Sequence, residues 1–298
     1  MHETCRPLGL VWTDLLRENL FQIGFLVKAI LVFMLIPSVQ VEWFVPFIVN
    51  WLNNPLTLPW TQHLSSGGDQ FSFPYGVIMF IAHLPTTLIG WTIDNFTQSS
   101  YFAGVGFRIS LLLADTFLLL LLLQIFEKYW KKVLIYYWLS PIVLFVTYWH
   151  GVSDIVPVVL FVYSLSFIKQ GKFWAAGIVL ALSIAAKHSM IIGAPFIFLY
   201  LWSHNGINKE FQRFVVYFIC SLVLIEMPFF FSESFRLMVI SNREAEKIYW
   251  LFIRMNKDNL IFLTPIVYSL LLYSFWRIRK ANFDLLLASM GVAFSVVI

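Results

Sequence analysis

The chain has 298 residues, 60% of them hydrophobic and only 12% charged, with a net charge of +4 and a mean hydropathy of +0.80. A soluble domain carries about 25% charged residues, so the composition excludes an ordinary soluble protein, and the small positive excess excludes a nucleic-acid surface. Cys5 and Cys220 lie far apart in unrelated contexts, which predicts neither a disulfide nor a metal site.

Residues 1–19 are polar and of mixed charge, and the apolar run 20–37 has no small-residue cleavage pattern after it. It reads as a first membrane helix and not as a removable signal. The stretch 39–75 follows, with prolines at 46, 55, 59 and 74 among Trp43, Trp51 and Trp60. Aromatic residues alternating with turn residues predict short amphipathic helices on a membrane surface. The run 76–93 holds His83 and Pro85, and counting loop charges makes it re-entrant or juxtamembrane. The alternatives are an outside N-terminus or an extra crossing at 41–52.

Further apolar runs cover 109–126, 133–149, 151–168, 173–202, 214–231, 260–276 and 285–298. As one helix, 173–202 would be about 45 Å long, half as long again as the hydrocarbon core. Two short helices meeting near Lys187 fit better, with Gly193 and Pro195 at the break. The last run is shorter than a span, as in a piece of a longer protein. Together the runs predict an all-α polytopic bundle of about 8–10 membrane helices in one transmembrane domain.

Positive charge fixes the sides. Lys128, Lys131 and Lys132, then Lys169 and Lys172, Lys209 and Arg213, and Arg277, Arg279 and Lys280 mark one face, cytoplasmic by the positive-inside rule. The segments 150–154, 187–189 and 232–258 then lie outside.

Polar residues in such a chain are functional candidates. Asp115 sits inside the run 109–126, seven residues after Arg108, so the two share a helix face. They read as a structural polar pair orienting helices. In the first outer loop, Asp69 follows Gly67 and Gly68, where backbone can approach a ligand and a carboxylate can act as general base. A solvated turn aspartate is the plainer reading. Glu42, just after the first helix, is the other candidate base or an interfacial charge. His150 and Asp154 would share one face of a helical turn, binding a sugar hydroxyl or diphosphate, or Asp154 simply caps the next helix. Lys187 and His188, where two short helices meet, suit a phosphate, with snorkelling as the bland alternative. Arg236 and Arg243 could grip phosphate too, although Glu233, Glu244 and Glu246 beside them favour a solvated amphipathic helix. No phosphate-loop, dinucleotide, nucleophile-elbow or zinc motif is present.

Four elements occur in order. They are Phe73-Pro74-Tyr75-Gly76; Arg108 with Leu113-Ala114-Asp115; Tyr148-Trp149-His150-Gly151-Val152-Ser153-Asp154; and Lys169-Gln170-Gly171-Lys172 leading to Ala185-Ala186-Lys187 with Pro195 beyond. This set, over about residues 20–200, resembles the C-type superfamily of integral-membrane glycosyltransferases (GT-C), in its polyprenyl-phosphate-sugar-dependent mannosyl- and glucosyltransferase branch. The resemblance implies a GT-C-like bundle with a large first outer loop. It implies a lipid-phosphate-linked donor, a glycan or lipid acceptor, and inverting hexosyl transfer with an outer-loop carboxylate as base. Relatives carry that carboxylate soon after the first helix; this chain has Glu42 there and Asp69 later, leaving both as candidates with Asp69 narrowly ahead. No cofactor is implied, although some transfers of this kind use a divalent ion. Such an enzyme would sit in a bacterial or archaeal cell membrane, or in the endoplasmic reticulum, making a surface polysaccharide, lipid-linked glycan or glycolipid. The rival readings are a transporter or flippase of a lipid-linked or anionic substrate, for which Asp115, His83 and Lys187 would serve, and a non-catalytic subunit of a glycan-assembly complex.

Overall fold

The computed structural model describes residues 13, 15–256, 259–278 and 280–297, with the side chains of residues 205 and 243–245 outside that description. Cys5, Arg6, Arg279 and the side chain of Arg243 thus lie outside the described residues. The fold is a bundle of helices. Eight of them frame the structure: α1 (Asn19–Met34), α2 (Val45–Asn53), α3 (Pro59–Ser65), α4 (Val77–Thr97), α5 (Phe102–Ile125), α6 (Ile155–Lys169), α7 (Phe173–Ala186) and α8 (Ala194–Asn205). α9 (Lys209–Phe230), α10 (Leu263–Arg277) and α11 (Phe283–Val297) complete it. The described residues also form a small antiparallel ribbon, β1 (Phe252–Arg254) with β2 (Leu260–Phe262), in register Phe252 to Phe262. This ribbon departs from an all-α reading.

α4, α5 and α9 are long and apolar enough to cross a membrane. Between α5 and α6 the chain forms a bent pair, Glu127–Trp138 and Pro141–Trp149, at 42° to one another. Much of the pair is wound as π-helix. α1, α6, α7 and α11 are apolar but only 14–16 residues long, shorter than the roughly 20 residues a span needs.

The run 173–202 is divided, as its length requires. α7 ends at Ala186, Lys187 is extended, and a 3₁₀ turn at His188–Gly193 leads into α8 with Pro195 in its first turn. The run 76–93, by contrast, does not fold back. It lies in one continuous helix, α4, of 21 residues with Pro85 inside. Proline removes the helical hydrogen bond that residue 85 would make to the Ile81 carbonyl, yet the helix continues unbroken to Thr97. α4 runs antiparallel to α5. Gly90 faces the Phe102 carbonyl and Gly106 the Thr86 carbonyl so closely that neither has room for a side chain. α1 is antiparallel to α5 as well, since Lys28 meets Asp115 and Arg108 meets Val32. Hence α1 and α4 run the same way, each antiparallel to α5.

α6 lies along the second half of α5, with Phe117 against Tyr163 at 5.4 Å between ring centroids and Ser166 bonded to Gln124 at 3.1 Å. α7 packs back on α6 through Ser164 to the Ala176 carbonyl (2.8 Å) and Ser183 to the Pro157 carbonyl (2.7 Å). These contacts gather the basic loops at one end. Lys169 donates to the Ile125 carbonyl at 3.0 Å and lies 6.0 Å from the Phe283 ring. The turns at 150–154 and 187–189 meet at the opposite end. There an aromatic cluster of Phe44, Phe47, Trp60, Phe73, Tyr75, Phe80 and Phe235 joins α2, α3 and the segment Glu233–Ile240.

Candidate functional site

The site forms where the 150–154 turn, the α7–α8 break and the start of α4 converge. Gly151 adopts a left-handed backbone (φ +84°), and its carbonyl accepts from the amide of Gln40 at 3.0 Å. This turn is not helical, so His150 and Asp154 do not share the face that i, i+4 spacing would give. His150 is exposed and stacks on Phe145, while Asp154 opens α6. The Asp154 carboxylate makes no bond to the helix amides. Both its oxygens accept from Lys187 at 2.7 Å, and one also accepts from the Tyr75 hydroxyl at 3.2 Å. The Lys187 ammonium also lies 5.5 Å from the centre of the Tyr75 ring. Lys187 and Asp154 stay partly open, at 21% and 36% side-chain exposure. Gly76 fixes the geometry beneath them, for its amide donates to the Ala186 carbonyl at 3.0 Å.

One residue on, His188 meets Glu226 of α9 at 3.3 Å. A lysine–carboxylate ion pair and a histidine–carboxylate contact thus stand side by side at this rim. Buried polar atoms are ordinarily hydrogen-bonded. Among the described residues, five buried side-chain atoms lack a partner, and three of them belong to this region: Gln40 Oε1, Ser153 Oγ and Ser189 Oγ. A ligand hydroxyl could donate to Gln40 Oε1, and either a hydroxyl or a phosphate oxygen could complete the two serines.

The remaining candidates fall elsewhere. Asp69 is exposed, and its Oδ1 accepts from the Phe71 amide at 2.8 Å in a local turn. Its carbonyl lies 3.2 Å from Nε2 of His63. Burial holds the His63 imidazole below its usual range despite the nearby Asp69. Glu42 is exposed on the π-turn Gln40–Phe44. Its neighbours on that turn reach the site, Gln40 through Gly151 and Phe44 through the Tyr75 ring at 5.5 Å. Arg236 is exposed on a segment anchored by Phe235 against Trp60, 4.8 Å between ring centroids.

Asp115 is not paired with Arg108. The Arg108 Nε donates to the Val32 carbonyl at 2.7 Å. Asp115 instead bonds Lys28 of α1 at 2.6 Å, with both side chains fully buried. The hydroxyls of Tyr137 and Tyr148 donate to its two oxygens at 2.7 Å, and the Lys28 ammonium sits 3.5 Å from the Trp138 ring. One-helix spacing favoured Arg108 because it cannot see a partner on another helix. The missed residues carried a signal all the same. Lys28 in the run 20–37 and Glu226 in the run 214–231 are lone charges in apolar sequence, as Asp115 is. Tyr75 carried none beyond its place in the Phe73–Gly76 element.

No family model, curated protein or solved structure matches the chain.

Proposed function

We propose that the chain is an integral-membrane glycosyltransferase. It would take a hexose from a polyprenyl-phosphate donor and pass it to a glycan or lipid acceptor at the end of the bundle opposite the basic loops. The carrying observation is the half-open Asp154–Lys187–Tyr75 cluster with unpartnered buried oxygens on Gln40, Ser153 and Ser189 beside it. The resemblance of the ordered sequence elements to GT-C enzymes supports the same reading. A lipid-linked donor stays in the bilayer, so its phosphate needs a cation at the membrane edge and no nucleotide-binding domain.

In this reading Lys187 exchanges Asp154 for the donor phosphate, and the freed carboxylate and the orphaned oxygens hold sugar hydroxyls. An outer-loop carboxylate takes the acceptor's hydroxyl proton. The acceptor oxygen bonds the anomeric carbon from the face opposite the phosphate, whose bond to that carbon breaks, and polyprenyl phosphate departs. Glu42 is the better placed base, because both ends of its π-turn touch the site. Asp69 already commits one oxygen to its own turn.

Transfer from polyprenyl-phosphate mannose and polyprenyl-phosphate glucose in membranes containing the chain tests this. Lys187→Gln and Asp154→Asn are expected to lower transfer about 100- to 1000-fold, as for a lost transition-state contact. Glu42→Gln is expected to lower it 100-fold or more, of the order of a lost general base, and Asp69→Asn less. Full activity in Lys187→Gln and Asp154→Asn would remove the site. Movement of a lipid-linked sugar across the bilayer with no new glycosidic bond would assign the chain to transport.

A further inference from the structure

The basic end holds two recesses that the transfer reaction does not use. The larger, about 470 Å³, opens between the ends of α8 and α10. Its lining includes Trp202, Ser203, Phe275, Trp276, Arg277 and Lys280. Phe275 is buried and forms an apolar floor, while the two tryptophans are about half exposed at the mouth. Lys280 takes a left-handed backbone (φ +57°) that L side chains rarely adopt. The smaller recess, about 270 Å³, is lined by Lys209, Arg213 and Tyr217 among others at the start of α9. Among the described residues no carboxylate lines either one.

We infer that the larger recess binds the phosphate of an anionic glycerophospholipid, with Arg277 and Lys280 gripping the headgroup and the apolar floor receiving the upper acyl chain. This rests on the membrane placement proposed above and not on the transferase chemistry. Three features combine. Two cations, Arg277 and Lys280, share the lining, which holds no carboxylate among the described residues. Two half-exposed tryptophans stand at the mouth, and this is a residue type enriched where headgroups meet acyl chains. Beside the cations the lining offers the apolar side chains of Leu199, Phe275 and Ile278, which a free phosphate does not need. Basic pockets between helices on the positively charged side are suited to anionic headgroups.

The test is native mass spectrometry of the whole chain after equilibration in nanodiscs of equal phosphatidylglycerol and phosphatidylcholine. The wild type is expected to retain phosphatidylglycerol selectively. Arg277→Gln with Lys280→Gln should cut that retention about 30-fold, equivalent to about 1 kcal/mol for each cation near an anionic surface. The charge-conserving pair Arg277→Lys with Lys280→Arg should keep it, which separates lost binding from lost folding. Lys128→Gln with Lys131→Gln, at the same end but outside the recess, should leave it unchanged. Equal losses in both glutamine pairs would reduce the effect to diffuse attraction, and no preference for phosphatidylglycerol would overturn the site. Full displacement of the lipid by inorganic phosphate would make free phosphate the ligand and overturn the lipid assignment. Release of the chain from membranes by alkaline carbonate is a separate result, one that removes the membrane reading itself.

Discussion

Lys28 and Asp115 show how a charge pair can be held deep in apolar surroundings. Attraction alone seldom repays the desolvation of two ions. Here the carboxylate accepts three hydrogen bonds and the ammonium faces an indole ring, so the pair is satisfied on every side that the contacts describe. Removing one partner strands the other. Lys28→Met is expected to destabilise the chain by about 3–5 kcal/mol, read as a lower midpoint of thermal unfolding in detergent. Lys28→Met with Asp115→Leu should recover much of the loss; a double variant as unstable as the single one would contradict this account. Asp115 was legible in the sequence as an anomaly of depth. Its partner was not, because Lys28 lies 87 residues away and only tertiary packing brings the two together. The same limit applied at Asp154, where capping and ligand binding were both open until Lys187 and Tyr75 were seen to hold the carboxylate.

At the scale of elements, glycines set how closely helices approach. Gly90 and Gly106 each abut a backbone carbonyl of the facing helix, an atom that cannot swing aside. Gly90→Ala and Gly106→Ala should each cost about 1–3 kcal/mol by overpacking. Gly291→Ala, in α11 with open space around it, should be neutral or stabilising by up to about 1 kcal/mol. Equal effects of the three in thermal unfolding would refute the packing argument. Length arithmetic located the break at Lys187, since no single helix of that run fits a bilayer. It did not predict the continuity of α4, where Pro85 and His83 looked like interruptions. The Nδ1 of His83 bonds Ser110 and its ring stacks on Phe107 at 4.1 Å between ring centroids, while its buried Nε2 lacks a partner among the described residues; the local sequence reveals none of this.

Across the whole molecule, basic loops collect at one end and the candidate site lies at the other. Charge counting assigns these two groups of loops to opposite sides of a membrane, because the positive-inside bias acts loop by loop and needs no tertiary information. In a background with Cys5 and Cys220 replaced by serine, single cysteines at Lys131 and Arg277 are expected to react with an impermeant maleimide from one side of sealed vesicles. Cysteines at Val152 and Glu233 should react from the other. Labelling of Val152→Cys and Lys131→Cys from the same side would break the proposed sidedness.

The buried pair between α1 and α5 also dictates an order of birth. Lys28 leaves the ribosome 87 residues before Asp115, about 4–17 s earlier at roughly 5–20 residues per second. Tyr137 and Tyr148 follow 22 and 33 residues after Asp115. Until then the lysine has no native counter-ion, so α1 cannot take its final seat on emergence. Its docking waits on the segment through Trp149, and a nascent chain halted before that point carries an unfinished polar core for quality control to find.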